Sequence, residues 1–309
     1  MKGTMRLPFQ AIILFLPFLC VVQAGEEYFT FEHQGVERGY RLYQPQLRDP
    51  GRAAALLVVL HGLRGSGQRV ADLTSFDDRA GRHGFIVVYP DSLGSHWNYL
   101  HGVPGAFEGP DDPGFLHSLV DRLTESHNID PRRRYVTGIS NGGFMAQRMA
   151  CEEESRFVGF ASVAAGAYGV LPDHCERRDV VDALYLHGTA DHMVPWKGKS
   201  VQTKDGENQV VSLSLGDSLK FWAERNRCAE GIDLKEIAPS GRSAETRVRV
   251  MTSRDCAEDA RVGLYAIIGG GHNWPGVEGR IADAVTGRVN LDIHASDVIW
   301  SFFETPATP

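Results

Sequence analysis

The chain has 309 residues, a formal net charge of −7 and an isoelectric point near 5.9. No lysine- or arginine-rich stripe interrupts that acidic balance, which argues against a nucleic-acid partner. Beyond the first two dozen residues no stretch is long and apolar enough to predict a membrane span. The N-terminus carries Lys2 and Arg6, continues as an apolar run from Phe9 to Val22 and closes on Val22-Gln23-Ala24. This order of charge, short apolar core and small-x-small end predicts a secretory signal peptide over residues 1–24. The product is then secreted or periplasmic and starts near Gly25. Lipidation at Cys20 is the weaker reading, because Leu19 stands where that signal wants a small residue.

Phe29 to Leu42 predicts an opening hairpin around Gln34-Gly35-Val36. Ala54–Leu60 and Phe85–Tyr89 are continuous apolar runs, as expected of strands buried on both faces. Phe115, Leu116, Leu119, Val120 and Leu123 fall on one face of a helix. Tyr135–Gly138, Phe160–Ala164, Ala183–Leu186 and Val262–Ile268 continue the strand series, and Leu291–Phe303 predicts a closing amphipathic helix. Such alternation implies an α/β fold, with a mostly parallel central sheet carrying helices on both faces. Residues 25–309 read as a single catalytic domain with no second module visible. Lys197–Gln209 is polar and predicts an exposed loop; Gly231–Arg247 is charged and predicts a surface excursion.

Once the leader with Cys20 is set aside, Cys151, Cys175, Cys228 and Cys256 remain. An even number in an exported chain suggests two disulfides, for which three pairings exist. The pairing Cys151–Cys175 with Cys228–Cys256 closes two short loops, each stabilising by roughly 3–4 kcal/mol in the chain-entropy model. No Cys-x-x-Cys or His-x-x-x-His spacing suggests a metal, and no cofactor is expected.

The chemistry concentrates after strands. Gly138-Ile139-Ser140-Asn141-Gly142 follows Tyr135-Val136-Thr137 and precedes an apolar helical pattern, so the Gly-x-Ser-x-Gly sits between strand and helix. A serine on so sharp a turn takes a strained conformation, and the flanking positions must be glycine for strand and helix to pass. Ser140 is the expected nucleophile. A hydroxyl needs a base and a group that orients the base. Asp191, in His187-Gly188-Thr189-Ala190-Asp191, and His272, after Gly269-Gly270-Gly271, follow later strands in the order serine, acid, histidine. Asp217 and Asp182 are weaker choices for the acid, and His187 and His61 read as structural. The developing oxyanion wants two N–H donors: Asn141, next to the nucleophile, and Leu63, in the loop Leu60-His61-Gly62-Leu63-Arg64-Gly65, with Arg64 close behind. Trp97, Trp196 and Trp274 lie in post-strand loops and are candidates for a substrate wall, with core packing the plainer role for any one of them.

These motifs jointly resemble the secreted polyhydroxybutyrate depolymerase-like esterases, a group that also holds feruloyl and acetylxylan esterases. The likeness rests on His61-Gly62, Tyr89-Pro90-Asp91, Trp97-Asn98, Asp130 to Gly143, His187 to Asp191, Gly271 to Gly276 and the closing Val298–Phe303 segment, over about residues 30–305. It implies an α/β-hydrolase fold, ester hydrolysis through an acyl-serine and the same two disulfides. The substrate would be a small-molecule or oligomeric ester. Leu63 and Arg64 depart from the small polar or cysteine residue that many relatives carry after His-Gly, which alters the pocket wall but not a backbone donor. The competing expectations are a serine peptidase of the prolyl-oligopeptidase kind and a binding protein on a hydrolase scaffold. Oligomeric state is not legible.

Overall fold

A computed structural model describes residues 25–46, 51–103, 109–202, 206, 208–243, 245–278 and 283–304. The expected leader and Cys20 lie outside these residues. Strands β1 (Gly25–His33) and β2 (Val36–Gln44) pair antiparallel as the opening hairpin, turning at Gln34 and Gly35 with φ of 50° and 78°. There follow β3 (Ala54–Leu60), α1 (Gly67–Thr74), α2 (Phe76–His83), β4 (Ile86–Pro90), α3 (Asp112–Ser126), β5 (Ile129–Ile139) and α4 (Asn141–Cys151). Next come β6 (Gly159–Val163), β7 (Asp182–Gly188), β8 (Lys199–Gln202), β9 (Asn208–Ser212) and α5 (Leu215–Arg225). The chain closes with β10 (Ala229–Ile237), β11 (Arg247–Arg254), β12 (Val262–Ile268), α6 (Asp283–Thr286) and α7 (Ala295–Glu304).

The main sheet has the order β1-β2-β4-β3-β5-β6-β7-β12-β11-β10. Strands β4, β3, β5, β6, β7 and β12 run parallel, and antiparallel strands flank them on both sides. This is the α/β-hydrolase arrangement. The period-two rule divides the buried strands between two cores. Leu56, Val58 and Leu60 of β3 face α3, α4 and α5; Ala55, Leu57 and Val59 face α1, α2 and α7. Helix α3 starts where the Asp111 carboxylate accepts the Gly114 N–H at 2.8 Å, with Pro113 in its first turn. Ser214 caps α5 in the same way, accepting the Asp217 N–H at 3.0 Å. Among the described residues no helix is long and apolar enough to cross a membrane.

Three expectations change. Lys197–Gln209 is not wholly loop, since β8 and β9 form an exposed antiparallel hairpin there. The charged stretch after Cys228 forms β10 and β11, which extend the sheet. In β11, Val248 and Val250 turn inward while Arg247 and Arg249 face solvent. The last helix starts at Ala295 rather than Leu291, because Asn290 and Asp292 are occupied as side-chain anchors. Its inward face includes Trp300, stacked on Phe85 at 3.6 Å between ring centroids. Disulfides join Cys151 to Cys175 and Cys228 to Cys256, the pairing that the loop lengths favoured.

Strand β5 and helix α4 pass with no room for a side chain between them. A Cβ on Gly142 would lie 2.4 Å from the Leu60 carbonyl oxygen, and one on Gly138 would lie 2.4 Å from that of Gly142. Backbone carbonyls cannot swing aside as a flexible side chain can. Gly142→Ala is therefore expected to lower the unfolding free energy by about 2–3 kcal/mol. Gly216→Ala on α5, whose nearest neighbour would be 3.8 Å away, is expected to leave stability unchanged or raised. Urea titrations of the two variants check this; a Gly142→Ala protein as stable as the parent removes the close-contact account.

Candidate active site

Ser140 stands between β5 and α4 with φ 57° and ψ −118°. L-residues avoid that region, and the surroundings must hold the serine there. Its N–H donates to the Val163 carbonyl at 2.8 Å, and its own carbonyl accepts the Gly143 and Phe144 N–H groups at 2.9 and 3.1 Å. The hydroxyl does not cap the helix it precedes, so the side chain is left to project from the sheet edge.

Asp191 and His272 come from loops after β7 and β12, which are neighbours in the sheet. His272 Nδ1 lies 2.7 Å from Asp191 Oδ2. Both side chains are buried, the carboxylate completely. Asp191 Oδ1 accepts the Met193 and Val194 N–H groups at 2.8 and 2.9 Å. Burial pushes this carboxyl up, but the bonds from His272 and from the Val194 N–H outweigh it and hold it below the usual range. The carboxylate is then ionised at neutral pH and can only accept, so Nδ1 of His272 carries the hydrogen. Nε2 keeps its lone pair, as a base requires.

The two loops are knitted to each other. Thr189 N–H donates to Ile267 O at 2.9 Å, Ala190 N–H to Gly270 O at 2.9 Å, and Gly269 N–H to Thr189 Oγ1 at 2.9 Å. Gly188 and Gly271 permit this, because a Cβ on either would fall within 2.2 Å of a carbonyl oxygen. Asn273 then fastens the histidine loop by donating to Gly287 O at 2.8 Å. Among the described residues no hydrogen bond joins the Ser140 hydroxyl to His272, although strand order puts all three residues at one carboxyl edge.

The loop after β3 packs directly on the serine: a Cβ on Gly62 would lie 3.5 Å from that of Ser140. Gly65 N–H closes a tight turn on Gly62 O at 3.0 Å, and Arg64 sits at φ 60°. The Arg64 N–H is spent on Ser95 O at 2.6 Å, which separates it from Leu63 as a donor. Asn141 opens α4, so its N–H has no partner within the helix. Its side chain instead clasps the Trp97 backbone, accepting from N–H at 2.6 Å and donating to the carbonyl at 3.1 Å.

Trp97 and Trp274 are corrected from wall to core. Trp97 is buried, and its indole donates to His61 O at 3.0 Å. Trp274 is buried against Phe76 in the second core and donates to Ser296 Oγ at 3.2 Å. Two residues past His272 the chain has already turned under the sheet edge, carrying that ring away from solvent. Trp196 is half-buried, its ring centroid 6.1 Å from that of His187. Sequence reasoning missed the exposed apolar side chains of Leu93 and Met193, which join Leu63 on post-strand loops at this edge. His61 is structural, with Nδ1 2.8 Å from Gly62 O and Nε2 accepting the Ser92 N–H at 3.2 Å. Burial lowers its pKa, which keeps it neutral. His187 is buried, with Nε2 3.5 Å from Asp191 Oδ2.

Residues 39–184 match the family described as Esterase PHB depolymerase. The chain is 28% identical over 278 residues to a protein named as an esterase, NocK of Nocardia uniformis subsp. tsuyamanensis, covering 87% of this chain and 79% of that one. It is 26% identical over 227 residues to feruloyl esterase B of Piromyces equi, covering 72% of this chain but 40% of the relative. In structure it resembles the acetyl xylan esterase from Aspergillus awamori, with a TM-score of 0.58, 16% identity and coverage of 86% of this chain and 94% of that one. That likeness supports the fold, and the sequence matches carry the chemistry. The chain is a carboxylic-ester hydrolase similar to the polyhydroxybutyrate depolymerase esterases.

Proposed function

We propose that Ser140, His272 and Asp191 are the nucleophile, general base and orienting acid of this esterase, and that an acyl-serine forms on Ser140. The observation that carries the reading is the 2.7 Å bond from His272 Nδ1 to a buried carboxylate, at the sheet edge where Ser140 stands in a strained turn. Ser140 Oγ attacks the ester carbonyl carbon while His272 Nε2 takes its proton. The carbonyl oxygen becomes an anion and accepts from the Asn141 and Leu63 N–H groups. Collapse expels the alcohol, which takes the proton from His272. A water then repeats the sequence on the acyl-serine and releases the acid. The Ser140–His272 hydrogen bond forms as substrate closes the site, since such bonds are often long in an unliganded enzyme.

Leu63, Leu93 and Met193, with half-buried Trp196, give the opening an apolar rim. That rim suits an uncharged ester with an apolar acyl or aryl group. The relatives' names bracket the choice between feruloyl, acetyl and hydroxyalkanoate esters. Two disulfides and the charged-then-apolar N-terminus support export of one catalytic domain, residues 25–309, to an oxidising compartment.

Ser140→Ala is expected to keep the fold and reduce kcat on p-nitrophenyl esters by at least about 10⁴-fold. An organophosphonate should label Ser140 in the parent and nothing in the variant; a label on another residue would reassign the nucleophile. Leu63→Ala should leave kcat close to that of the parent, because the proposed donor there is main chain, whereas Asn141→Ala should lower it by releasing the clasp on Trp97. Equal losses in these two variants would count against the assigned anion site. Rates on hydroxybutyrate oligomers, methyl ferulate and acetylated xylan then rank the substrates.

A further inference from the structure

His187 is the penultimate residue of β7, four residues before Asp191, and its side chain is completely buried. Nε2 lies 2.9 Å from the Val194 carbonyl oxygen and 3.5 Å from Asp191 Oδ2. Both neighbours are acceptors, so Nε2 must carry the hydrogen. Among the described residues Nδ1 has no hydrogen-bond partner, an unusual state for a buried ring nitrogen. Two imidazoles therefore converge on one carboxylate oxygen, His272 from the β12 loop and His187 from the β7 strand.

The contacts close a small ring. His187 binds the carbonyl of Val194; the Val194 N–H binds Asp191 Oδ1 at 2.9 Å; and the Asp191 N–H binds Gly188 O at 3.2 Å. The turn carrying the acid is thus tied at its far end to the strand that launches it. Loss of the His187 N–H would free that end and also remove a positive dipole from the carboxylate. The titratable groups facing His187 are Asp191 and, beyond it, His272; the Trp196 ring lies 6.1 Å away between centroids. Burial lowers the His187 pKa to about 4 against the pull of the carboxylate, so the ring stays neutral across the working range.

We propose that His187 is a positioning residue for Asp191: its single N–H, held by the Val194 carbonyl with Asp191 Oδ2 3.5 Å from the same nitrogen, fixes the acid's turn and tempers the charge that Asp191 presents to His272. This rests on the reading of Ser140, His272 and Asp191 as the reaction centre. It predicts a definite sign. Without the N–H, Asp191 turns more of its charge toward His272, the imidazolium is held more tightly, and the base stays protonated to higher pH.

The test measures kcat and KM against pH on a p-nitrophenyl ester for the parent, His187→Leu, His187→Gln and Ser140→Ala. His187→Leu is expected to lower kcat by about tenfold, the loss typical of a group that orients another. KM should change little and the acid limb should move to higher pH. His187→Gln can place an amide N–H near the lost Nε2 and should restore both. An acid limb unmoved in His187→Leu, or no recovery in His187→Gln, overturns the inference, because simple packing would move stability and not the limb. Activity surviving in Ser140→Ala is a separate failure, that of the reaction centre itself. Nitrogen-15 NMR of the parent needs no variant to fold. Residue 187 should appear as a neutral Nε2–H ring well below the ordinary histidine titration; an Nδ1–H ring, or one that titrates normally, overturns the proposal.

Discussion

A serine held at φ 57° has to be kept there by its neighbours, and the rest of the edge follows from how that is done. The holding is done by main chain. Ser140 donates to β6 and accepts from its own helix, while Gly138, Gly142 and Gly143 let β3, β5 and α4 meet at distances that exclude a Cβ. Rigid contacts of this kind do not relax with side-chain rotamers. The side chain of Ser140 is therefore aimed by the packing of a sheet on a helix, and the large core on the α3–α4–α5 face stabilises that aim.

The acid and the histidine obey the same logic with charge added. A fully buried carboxylate is costly unless it is hydrogen-bonded. Asp191 meets that demand with two backbone N–H groups and the His272 ring. These donors also fix its orientation, so the same bonds that make the charge tolerable make the site rigid. The post-strand loops of β7 and β12 exchange backbone bonds, and the acid–histidine pair is assembled before any substrate arrives.

Much of this was legible in the residues, for reasons that can be named. The parallel strands show as unbroken apolar runs because both faces are covered, and Ser140, Asp191 and His272 each stand just past one. The disulfide pairing followed from short loop closures. Helices α1 and α2 were hidden because each is eight residues long and offers few apolar positions, among them Val70 and Ala71, or Phe76 and Ala80. Helix α5 was readable in principle: Leu215, Leu219 and Trp222 recur at helical spacing behind the Ser214 cap. The alternation in Arg247-Val248-Arg249-Val250 likewise announces a strand. Depth was the harder quantity. Trp97, Trp196 and Trp274 all follow strands, yet two of the rings turn inward, and nothing local to the residues says which. The second imidazole beside Asp191 was invisible for the same reason, since a strand-end histidine shows its facing partner only once the loop beyond it has folded back.

The sheet finishes on β10, a strand exposed along nearly its whole length, with no helix among the described residues laid over its free side. Bare strand edges invite another chain to add itself. Here Asp233 and Glu236 reach across to Arg254 and Arg249 on β11, and Lys235 stands between them in sequence. The ribbon is anchored at its base by the Cys228–Cys256 link. Growth of the sheet is thus halted by a picket of fixed charges on a tethered flap.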